Sequence, residues 1–171
     1  MNGLVLLLPF ICARFIVPAL ADPNSLRRAA HFAPMYGRER WAYWAYQLIT
    51  AALMLCLPAL RVAIAWTWPF AAGLTCYAAG IALCAAACLS FARCSGLCTR
   101  GVYRFSRNPM YLAYPLCFVG MALVTRSAAL MALTLAFQIS ARWIVRAEER
   151  ECALRFGERY ARYAANVRRW L

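Results

Sequence analysis

Two short polar blocks interrupt an otherwise apolar sequence and carry the groups best suited to chemistry. Positions 107–111 read Arg-Asn-Pro-Met-Tyr, and positions 148–149 read Glu-Glu. Guanidinium, amide and phenol groups donate hydrogen bonds to anions and carbonyls, whereas carboxylates accept them from hydroxyl and ammonium groups. If the blocks meet, they predict a polar ligand site. The simpler alternative is a collar of ion pairs and interfacial side chains at a membrane surface.

The stretches between the blocks predict that they do meet. Two apolar segments, 110–124 and 128–145, are separated by a short turn at 125–127. From Arg126 the chain runs 17 residues back to Pro109 and 22 forward to Glu148. At about 1.5 Å of helical rise per residue, these ends lie roughly 26 and 33 Å from the turn. Both blocks should therefore reach the same membrane boundary.

The composition predicts an all-α integral membrane protein with a single membrane domain over residues 1–171. Hydrophobic residues make up 65% of the chain and charged residues 15%, whereas a soluble domain is about one quarter charged. About five transmembrane helices are expected, since a span needs about 20 apolar residues. The expected segments are 4–20, 41–60, 65–92, 110–124 and 128–145. We divide the domain into N-terminal helices (1–92) and a ligand-binding hairpin with its tail (93–171).

The tail after the last apolar segment predicts a C-terminal amphipathic helix at the membrane surface. Phe156, Tyr160 and Tyr163 share one helical face, whereas the arginines of this segment fall largely on others. Such a pattern suits a helix lying in the interface. Gly157, near the start of the segment, marks an expected bend.

The basic residues predict an orientation and favour contact with membrane lipids over nucleic acid. The net charge is +13, and the 19 basic residues are all arginines. They are concentrated in 22–40, 93–107 and the C-terminal tail, while the intervening turns hold only Arg61 and Arg126. The positive-inside rule then places the N-terminus outside and the C-terminus in the cytoplasm. Arginines between apolar segments face anionic headgroups, so no nucleic-acid partner is expected.

The cysteines and the first apolar segment supply fewer constraints. Of nine cysteines, Cys94 and Cys98 form the pair in a polar stretch. A zinc site needs two more ligands, and the single histidine is distant in sequence, so no metal is expected. Arg14 interrupts the first segment, which argues for a helix rather than a cleaved signal peptide. A charge at mid-membrane costs about 2.5–3.5 kcal/mol and often marks function, although arginine can also snorkel.

The block from Leu97 to Leu112, together with Glu148-Glu149, resembles the isoprenylcysteine carboxyl methyltransferase family. The related phospholipid N-methyltransferases share the pattern: Gly-x-Tyr, an Arg-x-Pro triplet, x-Tyr opening a helix, an apolar hairpin and a Glu-Glu pair. A Phe-Gly-Glu-x-Tyr-x-x-Tyr segment follows, present here from Phe156 to Tyr163. The resemblance extends over residues 95–171, and the first ninety residues match only as apolar helices.

This resemblance implies a methyl transfer from S-adenosyl-L-methionine to a lipophilic substrate that enters from the bilayer. Arg142 and Arg146 are expected to orient the substrate, and Arg146 and Glu149 to assist the reaction. The residues implied in cofactor binding are Leu97, Cys98, Tyr103, Arg107, Asn108, Pro109, Met110, Tyr111 and Glu148.

Three positions differ from the pattern and leave the methyl acceptor open. Asn108 and Ser95 occupy positions where relatives have histidine, and Ile144 stands where an arginine lies near the substrate carboxylate. Two other functions stay possible on sequence alone. Membrane sterol reductases, which use NADPH, share similar blocks but are usually longer. A non-catalytic membrane partner or small transporter would instead explain Arg14.

Overall fold

The computed structural model describes residues 2–62 and 64–170, and these are helical with short connections. No β-strand occurs within those ranges; Asn2 and Arg61 form one isolated bridge. The helices are α1 (Leu4–Ala21), α2 (Ser25–Ala29), α3 (Glu39–Cys56), α4 (Trp68–Ala92), α5 (Pro109–Val124), α6 (Ala128–Phe156) and α7 (Glu158–Asn166). A 3-10 turn over Gly101–Arg104 lies between α4 and α5.

Four of these helices are long and apolar enough to cross a membrane. They are α1, α3 with its 3-10 extension to Ala59, α4 and α6. The fourth apolar segment forms α5 as expected, but this helix has only 16 residues. The expected all-α fold is therefore confirmed, with four helices that could span a membrane, whereas a fifth crossing by α5 and the contact of α7 with the membrane surface stay predictions.

Local sequence explains where the central hairpin begins and ends. Pro109 opens α5, where a missing N–H costs nothing because the first helical donors have no partner in the helix. The Oγ of Ser127 caps α6 by accepting from the backbone N–H of Leu130 at 3.1 Å. At the other end, Gly157 has φ +50°, which interrupts the helix between α6 and α7. This is the bend that the glycine predicts.

Small residues bring α4 and α5 unusually close together. A Cβ on Gly80 would stand 2.6 Å from the backbone nitrogen of Cys117, and one on Gly120 would stand 2.5 Å from that of Tyr77. Backbone approach of this kind is typical of packed transmembrane helices. The α4–α5 pair forms a closely packed wall, and Phe10 of α1 packs against its α5 side.

The first helix contains one irregular turn. Residues Cys12–Ile16 form a wide, π-helical turn within α1. A π-turn inserts an extra residue and rotates the side chains that follow it, and such turns are frequent at functional sites. Arg14 lies at the centre of this turn.

Candidate active site

A cavity of about 520 Å³ lies where the ends of α1, α3, α5 and α6 meet the connection between α4 and α5. The wall includes Arg14 of α1, Tyr46 of α3, Tyr111 of α5 and Glu148 of α6. This volume falls within the range of small-molecule binding sites, and its lining combines aromatic rings with a few polar groups.

Tyr111 and Glu148 connect the two polar sequence blocks directly. The phenol of Tyr111 donates a hydrogen bond of 2.9 Å to Oε1 of Glu148. Tyr111 is 8% exposed, so its hydroxyl is removed from bulk water. Both side chains line the cavity. The predicted meeting of the two blocks is confirmed at this contact.

Glu149 is held by three partners. Its Oε1 accepts from the amide of Asn108 at 3.0 Å and lies 3.3 Å from Nε of Arg107. Its Oε2 lies 2.8 Å from Nε and 2.7 Å from Nη2 of Arg169. Each oxygen therefore carries a charge-assisted contact. Glu149 fixes the loop before α5 to the segment that follows α7.

Backbone bonds reinforce the same junction. The N–H of Arg107 donates to the carbonyl of Arg168 at 3.0 Å, and the Oγ of Ser106 donates to the carbonyl of Arg169 at 3.2 Å. The amide of Asn108 also donates to the carbonyl of Arg169 at 3.2 Å. The segment after α7 is thus attached to the loop that lines the cavity.

The face of α7 that was expected to rest on the membrane turns toward the protein at two positions. Tyr160 is buried, and the hydroxyl of Tyr163 donates to the carbonyl of Tyr103 at 2.6 Å. Burial raises the pKa of Tyr160 and of Tyr163 to about 12, and that of Tyr103 further still, so all three stay neutral phenols. The aromatic residues of α7 help to close the cavity.

The hydroxyl of Tyr160 has no hydrogen-bond partner among the described residues, although it is buried. Buried hydroxyls are nearly always paired, since an unpaired one costs free energy. Tyr160 also lines the cavity. A ligand with an accepting or donating group would satisfy it.

Comparison with known proteins identifies the part of the chain that carries this geometry. Residues 87–159 match the model of a protein family. That family is the phospholipid methyltransferases. The match confirms the resemblance seen in the sequence over this segment. Searches of curated proteins and of solved structures found no significant match.

All nine residues that the resemblance implies in cofactor binding line this cavity. They come from three places: the loop after α4, the start of α5 and the C-terminal part of α6. They are Leu97, Cys98, Tyr103, Arg107, Asn108, Pro109, Met110, Tyr111 and Glu148. Their proximity is a finding of the structure, and their contact with a cofactor stays a prediction.

Arg142 and Arg146 do not belong to the cavity wall. Both are exposed, and the guanidinium of Arg146 lies 5.9 Å from the ring centre of Trp143. The reason is helical phase: at about 100° per residue, Arg146 points roughly 200° away from Glu148. Ile144, one turn before Glu148, is fully buried on the inner face. A role of the two arginines toward the substrate stays a prediction, and this cavity lends it no support.

Several lining residues come from outside the segment matched by the family or were not assigned to the site from the sequence. Arg14, Phe32 and Tyr46 come from the N-terminal part of the chain, and Tyr114 lies one turn beyond Tyr111. Helical spacing from Tyr111 would have found Tyr114. Arg14 stands out in the sequence as a charged residue in an apolar segment. Its place in the cavity could not be predicted, because the other helices of the cavity wall are remote in sequence.

The loop after α4 contains a feature that the sequence left unassigned. The sulfur atoms of Cys94 and Cys98 lie side by side, and Cys98 lines the cavity. Within residues 2–62 and 64–170, no three potential metal ligands come together. The contact between the two cysteines brings the ends of a short loop together at the edge of the cavity.

Proposed function

We propose that the protein is a membrane methyltransferase that uses S-adenosyl-L-methionine and acts on a lipophilic acceptor. The observation that carries the proposal is the cavity that joins Tyr111 and Glu148 to the other residues of the matched segment. The cofactor supplies an activated methyl group on a sulfonium cation.

The residues present are suited to such a cofactor. The carboxylate of Glu148 can accept from ribose hydroxyls or an ammonium group, and the unpaired hydroxyl of Tyr160 offers a further polar contact. Aromatic faces of Tyr103 and Tyr111 favour a cation. The N-terminus of α5, with its partial positive charge, suits an anionic group.

The protein contributes alignment and exclusion of water more than proton transfer. Because the methyl group is already activated, catalysis requires mainly that the nucleophile be held in line in a dry cavity. Glu149 has both oxygens engaged by Arg107, Asn108 and Arg169. We therefore assign Glu149 to holding the loop in place rather than to accepting a proton.

The placement in the membrane follows from the charge pattern. We propose that α5 is a fifth crossing, its length of about 24 Å extended by the connection that contains the 3-10 turn. The arginine distribution supports a cavity at the cytoplasmic boundary and an N-terminus outside.

Labelling with a membrane-impermeant maleimide tests this orientation. Cysteines are introduced singly at Arg61 and Arg100, and the labelling of the native protein, which has cysteines of its own, is subtracted. In intact cells Arg61→Cys should gain label, whereas Arg100→Cys should gain it only after the membrane is permeabilised. The reverse pattern would overturn the orientation.

Ligand-dependent stability tests the proposed cofactor. In detergent, thermal unfolding is measured with S-adenosylmethionine, S-adenosylhomocysteine or NADPH at equal concentration. A ligand at 100 times its dissociation constant adds about 2.7 kcal/mol. We expect stabilisation by the first two ligands only. Stabilisation by NADPH alone would favour a reductase, and stabilisation by none would favour a non-catalytic membrane protein.

A further inference from the structure

Arg14 contributes a guanidinium to the cavity wall beside Tyr114, which lies one helical turn after Tyr111 in α5. It lines the cavity and is partly buried, within the wide turn Cys12–Ile16. Seven positions separate it from Ala21 at the end of α1, a distance of about 10 Å along the helix. In the proposed orientation this position lies inside the membrane boundary.

The polar groups around Arg14 are the phenols of Tyr46 and Tyr114 and the thiols of Cys84 and Cys88. The carboxylate of Glu148 also acts on its charge across the cavity, without forming an ion pair with it. None of the ion pairs formed by residues 2–62 and 64–170 includes Arg14. The ring of Phe15, whose centre lies 5.2 Å from its Cζ, cannot accept the five N–H donors of the guanidinium as a carboxylate would.

The other arginines of the cavity wall are placed differently. Arg28 pairs with Asp22, and Arg107 lies against Glu149. Arg155 is exposed near the end of α6. Within residues 2–62 and 64–170, Arg14 is therefore the arginine of the cavity wall that is partly buried and has no ion-pair partner.

The surroundings of Arg14 are apolar beyond these few polar groups. Phe10 packs against Tyr114 and Phe118, and Phe137 packs against Tyr46. A ligand that reaches this depth must combine an apolar body with a group that can pair with a guanidinium.

We propose that Arg14 binds the oxyanion, a carboxylate or a phosphate, of the lipophilic acceptor. That the ligand is a methyl acceptor rests on the proposed function, whereas the expectation of an anion rests on the geometry of the cavity. A guanidinium presents a planar fork that matches either oxyanion. Arg14 also lies outside the segment matched by the family, so the N-terminal helices would select the acceptor.

Binding of three amphiphiles of equal chain length tests the proposal. Dodecyl phosphate, laurate and dodecanol are titrated into the full-length protein in a zwitterionic detergent, at mildly alkaline pH and with S-adenosylhomocysteine present. We expect at least one oxyanion to bind about tenfold more tightly than dodecanol, as hydrogen bonds to charged groups allow. The ranking of laurate and dodecyl phosphate identifies the oxyanion. Equal affinity of the native protein for all three amphiphiles would by itself overturn the proposal.

Variants assign the preference to the residue. Arg14→Gln should lose the preference for oxyanions, Arg14→Lys should keep part of it, and Arg40→Gln, at an exposed arginine outside the cavity, should keep it all. A preference that survives in Arg14→Gln would overturn the proposal. So would weakened S-adenosylhomocysteine binding in Arg14→Gln, because Arg14 would then serve the cofactor. If the native protein binds no S-adenosylhomocysteine, the proposed function fails. The amphiphile titration, repeated without S-adenosylhomocysteine, still tests whether Arg14 binds an oxyanion.

Discussion

The phenol of Tyr111 donates to the carboxylate of Glu148 across 37 positions of sequence, at a distance of 2.9 Å. This bond joins the start of α5 to the C-terminal part of α6 and sets the position of the carboxylate in the cavity. Because Glu148 reaches the cavity from the longest described helix, its place depends on packing along the whole α5–α6 hairpin.

Glu148→Gln should weaken the binding of S-adenosylhomocysteine while the protein stays folded. The amide keeps the shape of the side chain but removes the charge that strengthens its accepted hydrogen bonds. A loss of about 1.5–3 kcal/mol corresponds to roughly ten- to a hundredfold in the dissociation constant. Calorimetric titration in detergent measures it. Glu158→Gln, at an exposed position, is the matched control, and unchanged affinity in Glu148→Gln would remove this carboxylate from the site.

Tyr160→Phe should reduce ligand affinity without reducing the stability of the free protein. The hydroxyl makes no hydrogen bond within the described chain, so its removal loses none. Tyr163→Phe is the contrasting variant, because it loses the bond to the carbonyl of Tyr103 and should destabilise the protein by about 1 kcal/mol. Thermal unfolding and S-adenosylhomocysteine titration of both variants separate the two effects. Equal affinity of Tyr160→Phe and the native protein would leave the unpaired hydroxyl without a role in binding.

Glu149→Gln should destabilise the fold more than it alters the chemistry of the cavity. The variant leaves Arg107 and Arg169 close together without their shared carboxylate. Breaking a buried ion pair on one side typically costs about 3–5 kcal/mol, and this site is nearly buried at Arg107 but partly exposed at Arg169, so we expect about 3 kcal/mol. Thermal unfolding checks this.

Glu39→Gln serves as the comparison for Glu149→Gln, because Glu39 pairs with one arginine, Arg150, rather than joining two. It should cost about 1 kcal/mol or less, since a single pair near the surface contributes little. If the two variants unfold at the same temperature, the junction built on Glu149 does not hold the loop before α5.

Gly80→Val should destabilise the bundle by pushing α4 away from α5. The first added carbon would stand 2.6 Å from a backbone atom of Cys117, which cannot move aside as a side chain can. Overpacking of this kind costs about 1–3 kcal/mol. Ala79→Val, on the exposed face of the same helix, is the control. Equal unfolding temperatures for the two variants would contradict the close packing of α4 and α5.

Features that local spacing decides could be predicted from the sequence. The length of the hairpin brings Tyr111 and Glu148 together, and the end of α6 at Gly157 follows from a residue that tolerates positive φ. The exposure of Arg142 and Arg146 depends on their helical angle relative to Glu148, which the number of intervening residues alone does not convey.

The remaining features depend on contacts between segments that are remote in sequence. Arg14 and Tyr46 reach the cavity only because α1 and α3 pack beside the hairpin, and no local pattern encodes that arrangement. The sequence of α7 is amphipathic, but such a pattern cannot distinguish a face that rests on lipid from one that covers protein. At Tyr160 and Tyr163, protein contacts prevail.

The cavity wall has two origins, one inside and one outside the segment that matches the family. Substitutions in α1 or α3 can reshape the cavity around Arg14 and Tyr46 while the hydrogen bond between Tyr111 and Glu148 stays in place. Under the assignment of Arg14 proposed above, acceptor choice can therefore diverge between related proteins without any change in how they hold the methyl donor. Chimaeras that exchange only residues before position 87 would keep the methyl-donor site of one parent and take the acceptor preference of the other.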